Sequence, residues 1–289
     1  MAANMMKAGY QLTVHDLRRA AATPLLEEGA TWADTPREVS AQSEIVFTSL
    51  PGPREVEAVA LGDDGILSGI RRDAVYIDLS TNSPSLVRQV QATMAEQGVH
   101  MLDAPVSGGV IGAHTGRLVV MVGGDEAIFQ RCRPLLEAIG DKVTYTGAIG
   151  CGSICKLMHN TIVYGIQTIA AECYTLGVKA GVEPGPLTEA IANGSAGRGT
   201  LFHYTFPETF LQGKFDPPQF ALQLAHKDVG LGVGLGREFS VPMAMANLVY
   251  QELTTAMNRG WQGSDSRVAM KLQEERAGVQ VRVKGGSTT

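Results

Sequence analysis

Lys156 and Asn160 stand four residues apart in Gly150-Cys151-Gly152-Ser153-Ile154-Cys155-Lys156-Leu157-Met158-His159-Asn160, a spacing that places both on one face of a helix. Lys156 is set among apolar residues, a setting able to lower an amine's pKa toward working pH. Such a lysine can exchange a proton with an alcohol or carbonyl oxygen while the Asn160 amide fixes the substrate. The same residues also read, without any chemistry, as a snorkelling lysine and a helix-surface amide. Ser153 or Gly152 is the expected cap of the helix.

A second group lies upstream, in Asp103-Ala104-Pro105-Val106-Ser107-Gly108-Gly109, followed by Gly112-Ala113, Gly116-Arg117-Leu118 and Met121-Val122-Gly123-Gly124. A strand ending in Ser-Gly-Gly offers a hydroxyl and unobstructed backbone amides that can hold a carboxylate, because glycine allows close approach. A tight turn between strands is an equal reading. A third group, Ala225-His226-Lys227-Asp228, precedes Gly230, Gly232, Gly234 and Gly236. That glycine spacing does not match G-x-G-x-x-G and no strand precedes it, so it predicts close helix packing rather than a phosphate loop. Lys227 and Asp228 read equally well as a solvated pair.

Gln11-Leu12-Thr13-Val14-His15-Asp16 alternates, contains β-branched residues and ends in an acid, like the second strand of a dinucleotide-binding unit. In such a unit a first strand runs into a glycine turn whose following helix holds the pyrophosphate, and the acid comes about 20 residues later. Met1 to Tyr10 reads instead as the back end of a helix, with Gly9 placed as its C-cap. The first strand and glycine turn, roughly 12 to 20 residues, are therefore expected upstream of Met1. Losing about five buried apolar side chains with such a strand would remove roughly 8 to 15 kcal/mol of gross burial, comparable with a domain's net stability.

The elements that must position these groups alternate through the first half. Strand-like runs are Glu44 to Leu50, Ala74 to Leu79, Val99 to Ala104, Arg117 to Val122 and Lys142 to Thr146; helical ones start near Pro53 and cover Pro84 to Gln97 and Asp125 to Ile139. This is the order of a mostly parallel sheet with crossover helices. After Gly152 the strand signal stops. Ser153 to Ala180 predicts one long helix, followed by helical stretches near Glu183 to Asn193, Arg198 to Gln212, Gln219 to Arg237, Pro242 to Gly260 and Ser266 to Arg276. The expected organisation is an α/β Rossmann-type domain over 1–149, lacking its first strand and glycine-rich turn, then an all-α domain over 150–289. Gly285 to Thr289 is expected to be disordered.

The chain has 289 residues, 44% hydrophobic and 18% charged, with a net charge of -5, enough for two domains with separate cores. The mild acidity and the isolated pairs Arg18-Arg19 and Arg71-Arg72 argue against a nucleic-acid surface. There is no signal-peptide pattern and no apolar run near the ~20 residues of a membrane span, so the expected location is cytoplasmic. Cys132, Cys151, Cys155 and Cys173 lack disulfide-scaffold spacing. Cys151, Cys155 and His159 recur every fourth residue, but at ~1.5 Å per residue the outer two stand about 12 Å apart, too far to share one ion. No metal is expected.

Taken together, these motifs resemble the β-hydroxyacid dehydrogenase family, which includes 3-hydroxyisobutyrate dehydrogenase and tartronate semialdehyde reductase, and the resemblance covers nearly the whole chain. Ser49-Leu50-Pro51 is similar to the family's loop beside the adenosine half of the cofactor, and Asp78-Leu79-Ser80-Thr81 to its strand end beside the nicotinamide. The resemblance implies that Ser107, Gly108 and Gly109 hold the substrate carboxylate, that Lys156 is the acid/base, and that Asn160 orients substrate. It also implies that Lys227 lines the cofactor cleft, with Asp16, Leu50, Pro51 and Thr81 as further cofactor contacts. The activity implied is hydride transfer between a nicotinamide and a short 3-hydroxy acid in a homodimer or homotetramer. Asp16 favours NAD, and Arg18 and Arg19 leave NADP open. Lys156-Leu157-Met158-His159-Asn160 with Tyr164-Gly165 is also similar to 6-phosphogluconate dehydrogenase, which keeps a polyhydroxy or phosphorylated acid as an alternative. The imine reductases share the fold but typically lack lysine at the Lys156 position. A competing class is a cofactor-deficient pseudoenzyme that retains the helical half as an oligomerisation module.

Overall fold

The computed structural model describes residues 1–283; the expectation for Gly285 to Thr289 lies outside them. Two compact units divide inside one long helix, the first covering Met1–Ile162 and the second starting at Val163.

The first unit runs α1 (Ala2–Lys7), β1 (Thr13–Val14), α2 (Arg19–Glu27), β2 (Thr31–Trp32), α3 (Pro36–Ala41), β3 (Ile45–Thr48), α4 (Pro53–Leu61), β4 (Val75–Asp78) and α5 (Pro84–Glu96). It continues through β5 (His100–Asp103), β6 (Val106–Ser107), α6 (Gly109–Thr115), β7 (Val119–Gly124), α7 (Glu126–Glu137), β8 (Lys142–Gly147) and the start of α8 (Cys151–Lys179). Helix starts follow local chemistry. Proline opens α3, α4 and α5, where its missing N–H has no intrahelical partner to lose. The Thr35 hydroxyl accepts from the Glu38 amide at α3, and the Asp125 carboxylate from the Ile128 amide at α7.

The main sheet has the order β3-β4-β5-β7-β6, with β8 on β7. β3, β4 and β5 are parallel, β7 is antiparallel to β5 and β6, and β8 is parallel to β7. All four residues of β4 are buried, as in a parallel strand covered on both faces. β1 and β2 form a separate parallel pair. Among the described residues β1 pairs only with β2 and β3 only with β4, yet Leu12 beside β1 packs on the same core as Ile45 and Phe47 of β3.

β7 starts two residues later than the sequence predicts and extends through both glycines. Gly116, at φ +71°, closes α6 and the Arg117 amide turns back to the Gly112 carbonyl, so residues 116–118 are spent on the turn. Gly123 can pair with Asp103 because a Cβ there would overlap the Asp103 carboxylate. β2, β6 and α6 carry too few residues for a periodic signal.

The second unit holds the rest of α8, α9 (Pro184–Asn193), a π turn (Leu201–Thr205), the short α10 (Phe206–Glu208), α11 (Leu222–Glu238), α12 (Ala244–Asn258) and α13 (Lys271–Ala277). The continuous helix predicted over Arg198 to Gln212 is broken into π, α and 3-10 turns; Pro207, which donates no N–H, lies in its middle. One core gathers Leu176, Val233, Val241, Met243 and Ala246, and another Leu222, Ala256, Val268 and Leu272. The glycine run on α11 splits by face. A Cβ at Gly230 would meet Tyr250 at 2.9 Å and one at Gly236 would overlap Met243, whereas Gly232 and Gly234 face open space. Helix packing thus explains two of the four.

Candidate active site

The helix carrying Lys156 is anchored by a carboxylate from another strand. Asp103, at the end of β5 and 1% exposed, accepts from the Gly150 amide at 2.7 Å and the Ser153 amide at 2.7 Å. Those N–H groups open α8 and have no partner within it. This corrects the expected cap: Ser153 Oγ is buried without a hydrogen-bond partner, and the capping oxygen comes from a residue 50 positions earlier. A Cβ on Gly152 would overlap the Met121 carbonyl and lie 2.6 Å from the Asp103 carbonyl. The glycine is what lets α8 start this close to the sheet. Burial pushes the Asp103 carboxyl upward, opposed by the two amides.

From that anchor α8 presents Lys156, His159 and Asn160 within little more than one turn. Lys156 is only 9% exposed and has no hydrogen-bond or ion-pair partner among the described residues; burial pushes its ammonium pKa down. Asn160 is half-buried. His159 Nε2 lies 3.0 Å from Ser107 Oγ. That contact joins two sequence groups: the Ser107-Gly108-Gly109 turn meets the Lys156–Asn160 segment of α8 inside the first unit. His159 has no role in the sequence reading beyond an excluded metal ligand, although its i, i+3 spacing from Lys156 puts it on the same side of the helix. No cluster of three metal-ligating side chains occurs among the described residues.

Ser107 is fixed by the antiparallel pairing of β6 with β7, opposite Val119. The chain then turns through Gly108 at φ +131° and Gly109 at φ +61°, conformations that favour glycine. Both are exposed, and the amides that follow belong to the open first turn of α6.

At the carboxyl ends of β3 and β4 a buried polar network sets two loops. Asp78 accepts from Thr48 Oγ1 at 2.9 Å, the Ser80 amide at 3.0 Å and Asn82 Nδ2 at 3.1 Å. Ser80 Oγ accepts from the Leu50 amide at 2.9 Å, and Tyr76, its phenol pKa pushed up by burial, bonds Thr48. The result leaves Pro51 exposed and Leu50 and Thr81 half-buried at the strand ends, where open parallel sheets bind ligands. Leu50 therefore meets any ligand without its N–H, which is already used.

Asp16 lies beyond β1, exposed, accepting from the Arg18 amide at 2.8 Å. On the paired strand the Trp32 ring carries the Arg19 guanidinium at 5.1 Å. No glycine-rich turn after a strand stands beside them among the described residues. Lys227 is in the second unit, on α11, paired with Asp228 at 2.9 Å with both side chains more than half exposed.

Comparison with known proteins agrees with this architecture. Residues 1–147 match the family described as the NAD binding domain of 6-phosphogluconate dehydrogenase, and 150–272 the family described as NAD-binding of NADP-dependent 3-hydroxyisobutyrate dehydrogenase. The 2-(hydroxymethyl)glutarate dehydrogenase of Eubacterium barkeri is 34% identical over 97% of this chain and 93% of its own length. The 3-hydroxyisobutyrate dehydrogenase of Pseudomonas aeruginosa is 37% identical over 81% and 80%. The structure of Mycobacterium tuberculosis 3-hydroxyisobutyrate dehydrogenase with L-serine superposes with a TM-score of 0.64 at 28% identity, covering 94% of each chain. With a Rossmann-type unit, a helical unit and relatives matched along most of their length, the chain belongs to the β-hydroxyacid dehydrogenase family and is an NAD(P)-dependent hydroxyacid dehydrogenase.

Proposed function

We propose that this enzyme interconverts a short 3-hydroxy acid and its semialdehyde, with the substrate lying between the Ser107–Gly109 turn and the Lys156–Asn160 face of α8. The observation that supports this is the 3.0 Å contact of Ser107 with His159, which brings the Ser107–Gly109 turn onto the segment of α8 that carries Lys156 and Asn160. The related enzymes named for 3-hydroxyisobutyrate and 2-(hydroxymethyl)glutarate act on molecules that share a hydroxymethyl group next to a carboxylate-bearing carbon. A substrate of that shape offers a carboxylate to the Ser107 hydroxyl and the amides after it, and a hydroxyl to Lys156.

NAD supplies the hydride acceptor when bound, with Asp16, Leu50, Pro51 and Thr81 along its path. Lys156, neutral more often than an exposed lysine because burial lowers its pKa, takes the hydroxyl proton in oxidation and returns it in reduction. The Asn160 amide, four residues on, holds the substrate oxygen so that this proton moves to the lysine. The helical portion from residue 150 onward serves substrate binding and assembly.

Lys156→Ala is expected to lower kcat on 3-hydroxyisobutyrate by about 10²-fold or more while leaving NADH binding, followed by fluorescence titration, unchanged. Full turnover in that variant would remove Lys156 from the mechanism.

A further inference from the structure

The Ser107 hydroxyl has one hydrogen-bond partner among the described residues, and it is His159 Nε2 at 3.0 Å. A serine hydroxyl has one proton to give. If that proton goes to an unprotonated Nε2, Ser107 presents only lone pairs to its other neighbours. If Nε2 carries the proton and donates to Oγ, the serine proton is free to point elsewhere. A carboxylate is acceptor-only, so the two arrangements differ in whether Ser107 can bind an acid at all.

We propose that His159 is a positioning residue that donates Nε2–H to Ser107 Oγ and thereby directs the serine proton to the carboxylate of the substrate. The inference rests on the reading of Ser107–Gly109 as the carboxylate site. The backbone on both sides is built to hold this register. Ser107 is fixed opposite Val119 by β-pairing, and Gly108 at φ +131° fixes the turn that follows. His159 lies two turns into a helix whose start is bonded to buried Asp103. Both partners are half-buried, so the bond is partly shielded from competing water. His159 is one helical turn from Lys156, so one rigid element would orient the donor to the carboxylate and carry the group that handles the hydroxyl proton. An acid of the right length meets both, and a compound lacking the carboxylate gains nothing from His159.

The test is a double-mutant cycle in the full-length enzyme, measuring KM and kcat on 3-hydroxyisobutyrate, with thermal unfolding and NADH titration to confirm an intact protein. Ser107→Ala and His159→Leu are each expected to raise KM about tenfold with a smaller change in kcat. The pair together should be no worse than either alone. His159→Gln, which keeps an N–H donor at similar reach, should recover most of the loss. A normal KM in His159→Leu, while Ser107→Ala is impaired, overturns the positioning role and leaves the carboxylate site standing. Additive effects, or a His159→Gln variant as weak as His159→Leu, overturn it as well. A normal KM in Ser107→Ala overturns both this inference and the carboxylate reading beneath it.

Discussion

Lys156 has a stability signature that follows from its burial. An unfolded lysine titrates near 10.4, and in the folded chain burial lowers that value. Below the folded pKa both states are protonated and the cost of burying the charge is felt in full. Between the two values the unfolded state binds more protons, so stability rises with pH across that window. Lys156→Met, close in length and without charge, is expected to unfold at a higher temperature than the parent at neutral pH, and the difference should shrink as pH rises toward 10. A Met variant less stable than the parent at pH 7 would mean that the ammonium is solvated. The motif gives Lys156 and Asn160 their shared face, since helix geometry alone sets it. It does not give the burial of the lysine without a partner among the described residues, because burial depends on which strands α8 packs against.

At the scale of the element, α8 starts where it does because of Asp103. Asp103→Ala would leave the Gly150 and Ser153 amides buried without an acceptor, at about 1 to 3 kcal/mol each. Chemical denaturation should show a lower midpoint, with kcat falling alongside because the first turns of α8 carry Lys156. Asp103→Asn, retaining one acceptor oxygen, should fall between the two. Equal stability of the Ala variant and the parent would show that the amides find other partners. Sequence reasoning places the cap on Ser153 or Gly152 because N-caps are normally local; a carboxylate supplied by a neighbouring strand has no along-chain signature. The later start of β7 has a similar cause, since Gly116 ends α6 through a left-handed turn that uses residues a strand pattern would claim.

At the scale of the whole molecule, the second unit leaves apolar surface uncovered. From Val163 to Lys179 only Leu176 of α8 is fully buried, while Tyr164 is 63% and Ile166 53% exposed. A helix apolar on most sides needs cover on most sides, which supports assembly into a homodimer or homotetramer. Light scattering should give a mass of two or four chains, and Ile166→Asp should shift it toward one; a parent that is monomeric at micromolar concentration removes this reading. None of the helices in the described residues is long and apolar enough to cross a membrane. The sequence by itself determined the alternation of strands and helices, the all-helical second half and the identity of the Ser107–Gly109 and Lys156–Asn160 groups, because periodicity, proline and glycine act over a few neighbouring residues. Only the tertiary structure decided that Ser107 meets His159 across 52 positions, that Asp103 holds α8, that β1–β2 stands apart from the main sheet, and that Lys156 is buried with no partner among the described residues. Those depend on strand pairing and close backbone approach, free energies that arise only when distant segments have already come together.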